Sequence, residues 1–141
     1  MSDGDDPVSP ELRDKLRIDH CFWIPKRRLK RCAVYVIAPE ADRRPSKVGV
    51  SHNPLVRLGK LQVSHWKRMR VYHALHVEAG ERAYEIEGAA HKLLESTGLL
   101  GEWFDVPSRI AFEAVQQAAN TLGVDFKITD PLRLDKAQKV V

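Results

Sequence analysis

Tyr35, Lys47, Arg57 and Glu87 place a phenol, an ammonium, a guanidinium and a carboxylate within 52 positions of one another. Such a set can bind an anion, hold a hard metal ion and move a proton. Glu87 is the most informative of the four. On a helical wheel it falls at the border of an apolar arc, beside Ala83 and Leu94. A carboxylate there costs free energy unless something compensates it. Either it reaches solvent or pairs with an arginine, or it aims at a metal in a groove between helix and sheet. His91, four residues on, shares its flank. Tyr35 is the only polar side chain inside an apolar strand; it is a core tyrosine with its hydroxyl satisfied, or a working phenol. Arg57 reads as a surface helix residue or an anion ligand, and Lys47 as a strand-edge cap or part of the same site.

The elements that must position these groups are legible from periodicity. Ala33–Ala38 is an apolar run rich in valine and isoleucine, which predicts a central strand. A polar turn over residues 39–45 leads to a second short strand at Lys47–Val50, and hairpin pairing is the economical topology. Asn53-Pro54 starts a helix, with Asn as N-cap and Pro at the first helical position. Leu55, Leu58 and Leu61 are its buried stripe, with Arg57 and Lys60 off it. Met69–Val77 is the third strand, with Val71, His73, Leu75 and Val77 expected on one face. From Glu81 to Thr97 the period turns helical, with Ala83, Ile86, Ala90, Leu93, Leu94 and Thr97 on one side and Gly98 as a left-handed cap. Trp103 and Phe104 are expected core anchors. Ser108–Leu122 is a further amphipathic helix, residues 126–128 a short strand, and the rest a frayed tail.

The 141 residues, 43% hydrophobic, suit one domain with a modest core. We expect an N-terminal extension over 1–32, a domain over 33–123 and a C-terminal tail over 124–141. In the extension, residues 11–18 allow a short helix, 21–24 form an apolar patch and 26–31 a basic linker. No apolar run approaches the roughly 20 residues of a membrane span, and the acidic N-terminus reads as no signal peptide. Cys21 and Cys32 are expected as reduced thiols in a cytoplasmic protein. The net charge of +4 hides a segregation: residues 26–77 hold thirteen Lys/Arg against Glu40 and Asp42, and residues 78–105 hold seven acids against two bases. One face should be positive, which attracts a polyanion or simply solvates the surface.

The ordered set Val34-Tyr35, Lys47-Val48-Gly49, Arg57-Leu58, Leu61-Gln62, Glu87 with His91, and Gly101-Glu102-Trp103-Phe104 resembles the GIY-YIG nuclease superfamily. It is most similar to the branch named for the phage T5 orf172 product and the meiotically up-regulated protein 113 domain. The resemblance covers about residues 33–106. It implies an α+β fold with a small three-stranded antiparallel sheet flanked by helices. It also implies cleavage of DNA by phosphodiester hydrolysis with one Mg²⁺ or Mn²⁺. On this resemblance Tyr35 matches the tyrosine of the first signature, Lys47-Val48-Gly49 the second, Arg57 the helix arginine and Glu87 the metal-binding acid. Arg57 would grip a phosphate. Tyr35, presented from the solvent-facing side of its strand and made more acidic by nearby cations, would take a proton from the attacking water. Lys47 would add to the field, with His91 one turn beyond the acid. Arg57, Lys60, Lys67, Arg68 and Arg70 are the expected DNA contacts. Lys47 stands where the best-studied members carry a second tyrosine, and Leu61 where some carry a histidine. An inactive nucleic-acid-binding module and a protein-interaction module on the same scaffold are the alternatives.

Overall fold

A computed structural model describes residues 31–138. The expected helix over 11–18, the apolar patch over 21–24, Cys21 and residues 26–30 of the basic linker lie outside the described residues. The apolar run becomes β1, Cys32–Pro39, and every one of its residues is buried. Both its faces are covered, so the run is continuous and not alternating. β2, Ser46–Ser51, returns antiparallel along one side, pairing Tyr35 with Gly49 and Ile37 with Lys47. β3, Met69–Val77, lies antiparallel along the other side.

Two further strands, β4 (Trp103–Phe104) and β5 (Lys127–Ile128), extend the sheet to five strands in the order β4-β2-β1-β3-β5. The expected three-stranded sheet is therefore its centre. Strands of two residues are too short for a period-2 pattern, and Trp103-Phe104 read only as core anchors.

Helix α1, Pro54–Gln62, begins as its sequence dictates: the Asn53 side chain accepts from the amides of Leu55 at 3.1 Å and Val56 at 3.4 Å. Helix α2, Gly80–Leu93, is followed by a 3₁₀ turn over Glu95–Thr97. Ala83, Ile86, Ala90 and Leu94 bury its apolar face, whereas Leu93 is left half exposed. Gly98 is extended, with φ −60°, so it is no left-handed cap; the 3₁₀ turn has already ended the helix. Helix α3, Ser108–Leu122, does close on a left-handed glycine, Gly123 at φ 68°. Helix α4, Pro131–Gln138, replaces the expected frayed tail. Leu134 is buried beneath the sheet, and the Gln138 side chain bonds both the amide and the carbonyl of Val71.

The sheet has a core on each face. Val34, Val36, Val48, Leu75 and Val77 pack against α2 and α3. Tyr35, Ile37, Met69 and Val71 pack against α1 and α4. Val71 thus faces away from Leu75 and Val77, contrary to simple alternation. The register explains it: Val36 opposes His73 while Ile37 opposes Val71, so Tyr72 is an extra residue and the strand changes face across it. His73 stacks on Phe112 of α3 at 4.4 Å. Cys32 is buried, with its Sγ 3.6 Å from His52 Nδ1. No helix among the described residues is long and apolar enough to cross a membrane.

Candidate functional site

Tyr35 is fully buried, and its side chain lies on the α1 face, not toward solvent as expected. Its ring crosses the neighbouring strand over its partner Gly49. A Cβ there would come within 2.6 Å of Tyr35 Cζ and overlap the hydroxyl. The absence of a side chain at Gly49 is what lets a phenol from the central strand reach toward the outer side of β2.

That outer side is largely open. β4 pairs only with Ser46 and Lys47. Beyond them the Val48 amide donates to the Glu102 carbonyl at 3.2 Å, and the Val48 carbonyl accepts from His91 Nε2 at 2.9 Å. A carbonyl can only accept, so Nε2 carries the proton and, in the neutral ring, Nδ1 carries the lone pair. His91 also lies 5.0 Å from the Phe104 ring and 4.0 Å from the Glu87 carboxylate. Glu87 and His91 belong to α2, which packs on the sheet face opposite Tyr35, yet both reach round the β2 edge.

The edge opens into a groove of about 950 Å³. Lys47, Arg57, Glu87 and His91, expected from sequence as site residues, all line it. They come from β2, α1 and α2. Tyr35 lies behind the wall, within electrostatic reach of Glu102, Arg57 and Glu87.

The charges in the groove are mixed. Lys47 Nζ is ion-paired with Glu102, and both side chains are largely covered. Lys47 also stands 5.9 Å from the centre of the Tyr35 ring. The Tyr35 hydroxyl is buried without a well-formed hydrogen bond among the described residues. Burial pushes its pKa well above the ordinary phenol range, and Glu102 and Glu87 push the same way; the Arg57 guanidinium opposes them and is outweighed. The expected acidification of this phenol by cations is therefore reversed. Desolvation of a phenolate dominates, and the ring is neutral near pH 7.

These elements lie within residues 32–121, which match the T5orf172 domain. The chain belongs to the T5orf172 domain family. No curated protein and no solved structure matches it.

Within this T5orf172 domain the expected DNA-contacting cations divide into two groups. Arg57 and Lys60 line the groove. Lys67, Arg68 and Arg70 do not; they cluster with acids, Lys67 at 4.0 Å from Asp42, Arg68 at 3.9 Å from Glu40 and Arg70 at 3.2 Å from Glu40. Arg70 also pairs with Asp135 of α4. Sequence reasoning assigned no part to Glu102, although it stands in the quoted Gly101-Glu102-Trp103-Phe104 run. It assigned none to Gly49, whose role depends on a cross-strand partner that only the register identifies. The groove can thus receive an anion at Arg57 and Lys60, and it offers a carboxylate and an imidazole beside them.

Proposed function

We propose that this groove is the active site of a metal-dependent endonuclease of the GIY-YIG class, which hydrolyses a phosphodiester bond of DNA. One observation carries the reading: Lys47, Arg57, Glu87 and His91, scattered in sequence, line a single groove at the β2 edge. Membership of the T5orf172 family, a nuclease-related domain, supports it.

The donor set fits one Mg²⁺ or Mn²⁺ in a restricted way. Among the described residues no three His, Cys, Asp or Glu side chains cluster to hold a metal. Glu102 is taken by Lys47. Glu87, which lines the groove beside His91, would be the protein ligand that holds the cation, since a hard oxygen-seeking ion needs few protein carboxylates. When bound, the cation supplies Lewis-acid stabilisation of charge on the phosphoryl oxygens. Arg57 holds the scissile phosphate through its fork of donors, and Lys60 holds a neighbouring one. Tyr35, buried behind the wall and neutral, is not the base of the site. The His91 lone pair at Nδ1 accepts the proton of the attacking water as its oxygen bonds to phosphorus. The bond from phosphorus to one sugar oxygen breaks, and that oxygen is protonated from solvent.

Plasmid nicking with Mg²⁺ or Mn²⁺ tests the proposal. Glu87→Ala should abolish metal-dependent nicking and spare DNA binding, because it deletes a ligand and relieves repulsion from phosphate. Nicking that persists undiminished in purified Glu87→Ala protein would defeat it. The buried, neutral Tyr35 favours a second reading, a nucleic-acid-binding module without cleavage; DNA binding with no nicking by the parent protein would select that one.

A further inference from the structure

The turn between α1 and β3, residues 63–68, leaves Trp66 89% exposed and Val63 88% exposed. Single exposed apolar side chains are ordinary on protein surfaces. Three features set this turn apart. First, its backbone is fixed: the Gln62 amide donates to the carbonyls of His65 at 3.3 Å and Lys67 at 2.7 Å, and its oxygen accepts from the Met69 amide at 2.8 Å. A tryptophan held out on a braced turn is preorganised, which lowers the entropy lost when something lands on it. Second, the turn grows out of the groove wall. Leu61 and Ser64 line the groove, and the His65 ring rests 5.7 Å from that of Trp103, which lines it too. Third, a cation stands at the ring, although that cation also lies 4.0 Å from Asp42. Lys67 Nζ sits 5.3 Å from the ring centre, and Lys60 stands in the adjoining groove. The ammonium occupies one face of the indole and leaves the other to solvent.

We propose that Trp66 is a stacking platform for an unpaired base of the nucleic acid whose backbone enters the groove. The inference rests on the nucleic-acid reading above and adds a substrate class. Inside a duplex both faces of every base are covered by its neighbours. A platform of this kind therefore selects a substrate with an unstacked base, such as a single strand or a single-stranded tail beside a duplex. An exposed aromatic next to cations that track phosphates is the recurrent way proteins hold single strands. A protein partner for the same patch would need a broad apolar contact, whereas here the exposed ring carries a lysine ammonium on one side.

The test compares the full chain with Trp66→Ala and Trp66→Phe. Fluorescein-labelled DNA is used in three forms at fixed salt: a single strand, a blunt duplex of the same sequence, and that duplex with a single-stranded tail. Trp66→Ala should raise Kd for the single-stranded and tailed forms by roughly 5- to 150-fold, the loss of one stacked base. Blunt-duplex affinity and the salt slope should stay as in the parent, since no charge is removed. Trp66→Phe should recover most of the loss. Parental affinity of Trp66→Ala for the tailed DNA overturns the inference, as does an equal loss on blunt duplex. So does a Trp66→Ala effect confined to self-association in sedimentation, which would make the patch a protein contact. If Glu87→Ala still abolishes nicking in any of those cases, the nuclease reading survives; a parent that binds none of the three DNAs ends both.

Discussion

Gly49→Ala is the substitution that most directly examines how the site is assembled. The added methyl carbon would lie 2.6 Å from Tyr35 Cζ and would overlap the hydroxyl, so one of the two strands or the ring must move. Tyr35 has little room to do so, being fully buried among Ile37, Met69, Val71 and Leu134. Overpacking of this kind costs about 1–3 kcal/mol. For a chain of this length that lowers Tm by about 3–9 °C, at roughly 3 °C per kcal/mol. Thermal melts by circular dichroism read the loss, and nicking should fall with it because the phenol is displaced from the groove wall. A double-mutant cycle isolates the cause. In a Tyr35→Ala background the methyl has space, so the penalty should vanish and leave an interaction energy of about 1–3 kcal/mol. A Gly49→Ala protein that melts with the parent, or one equally destabilised with and without the Tyr35 ring, would refute the arrangement.

Lys47→Met should destabilise by about 1–3 kcal/mol in urea unfolding, because it strands the Glu102 carboxylate in a largely covered site, and Lys47→Met with Glu102→Leu should recover much of that. Burial, with Arg43 second, holds the His73 imidazole at a pKa of about 4 against an ordinary 6.5. The unfolded chain therefore binds a proton that the fold refuses, so this contribution to stability is complete above about pH 6.5 and is lost as pH falls through about 4. His73→Phe should shrink the fall in urea midpoint over that window, and an unchanged fall would contradict the assignment. On duplex DNA, Arg57→Ala and Lys60→Ala should each lower the slope of log K against log salt by about 0.9. Arg70→Ala should leave that slope alone, its guanidinium being engaged by Glu40 and Asp135.

The long elements were legible because each carries many residues of one period. Asn53-Pro54 fixed the start of α1, and the valine-rich run of β1 declared a central strand, although Tyr35 was expected on a solvent-facing side and is buried. What escaped was set by partners distant in sequence. β4 is two residues whose identity as a strand comes only from pairing with Ser46 and Lys47. The change of face at Tyr72 comes from register with β1, and no residue type marks it. Helix α4 has a weak apolar stripe, and its hold on the sheet comes from Leu134 and from the Gln138 amide on Val71. At the site, ordered motifs indicated which side chains meet. The protonation of Tyr35 could not be read that way, because it depends on burial, and a phenol inside an apolar strand is consistent with either sign of shift.

The two sheet faces explain why the site lies where it does. Tyr35 and Arg57 belong to the α1 face, while Glu87 and His91 ride on a helix packed on the other. Side chains from opposite faces of a sheet can share a space only beyond a strand edge. β2 offers one because β4 stops after two residues and the chain turns away through Gly101, at φ 65°. Had β4 continued along Gly49–Ser51, its backbone would occupy the space His91 uses to reach the Val48 carbonyl. Glu87 would then be walled off from Arg57. Open edges invite pairing with other chains. Here the first exposed carbonyl is capped by His91 and the rest borders a groove lined with charge. The shortness of β4, which hid it from sequence reading, is the same property that lets the two halves of the site meet.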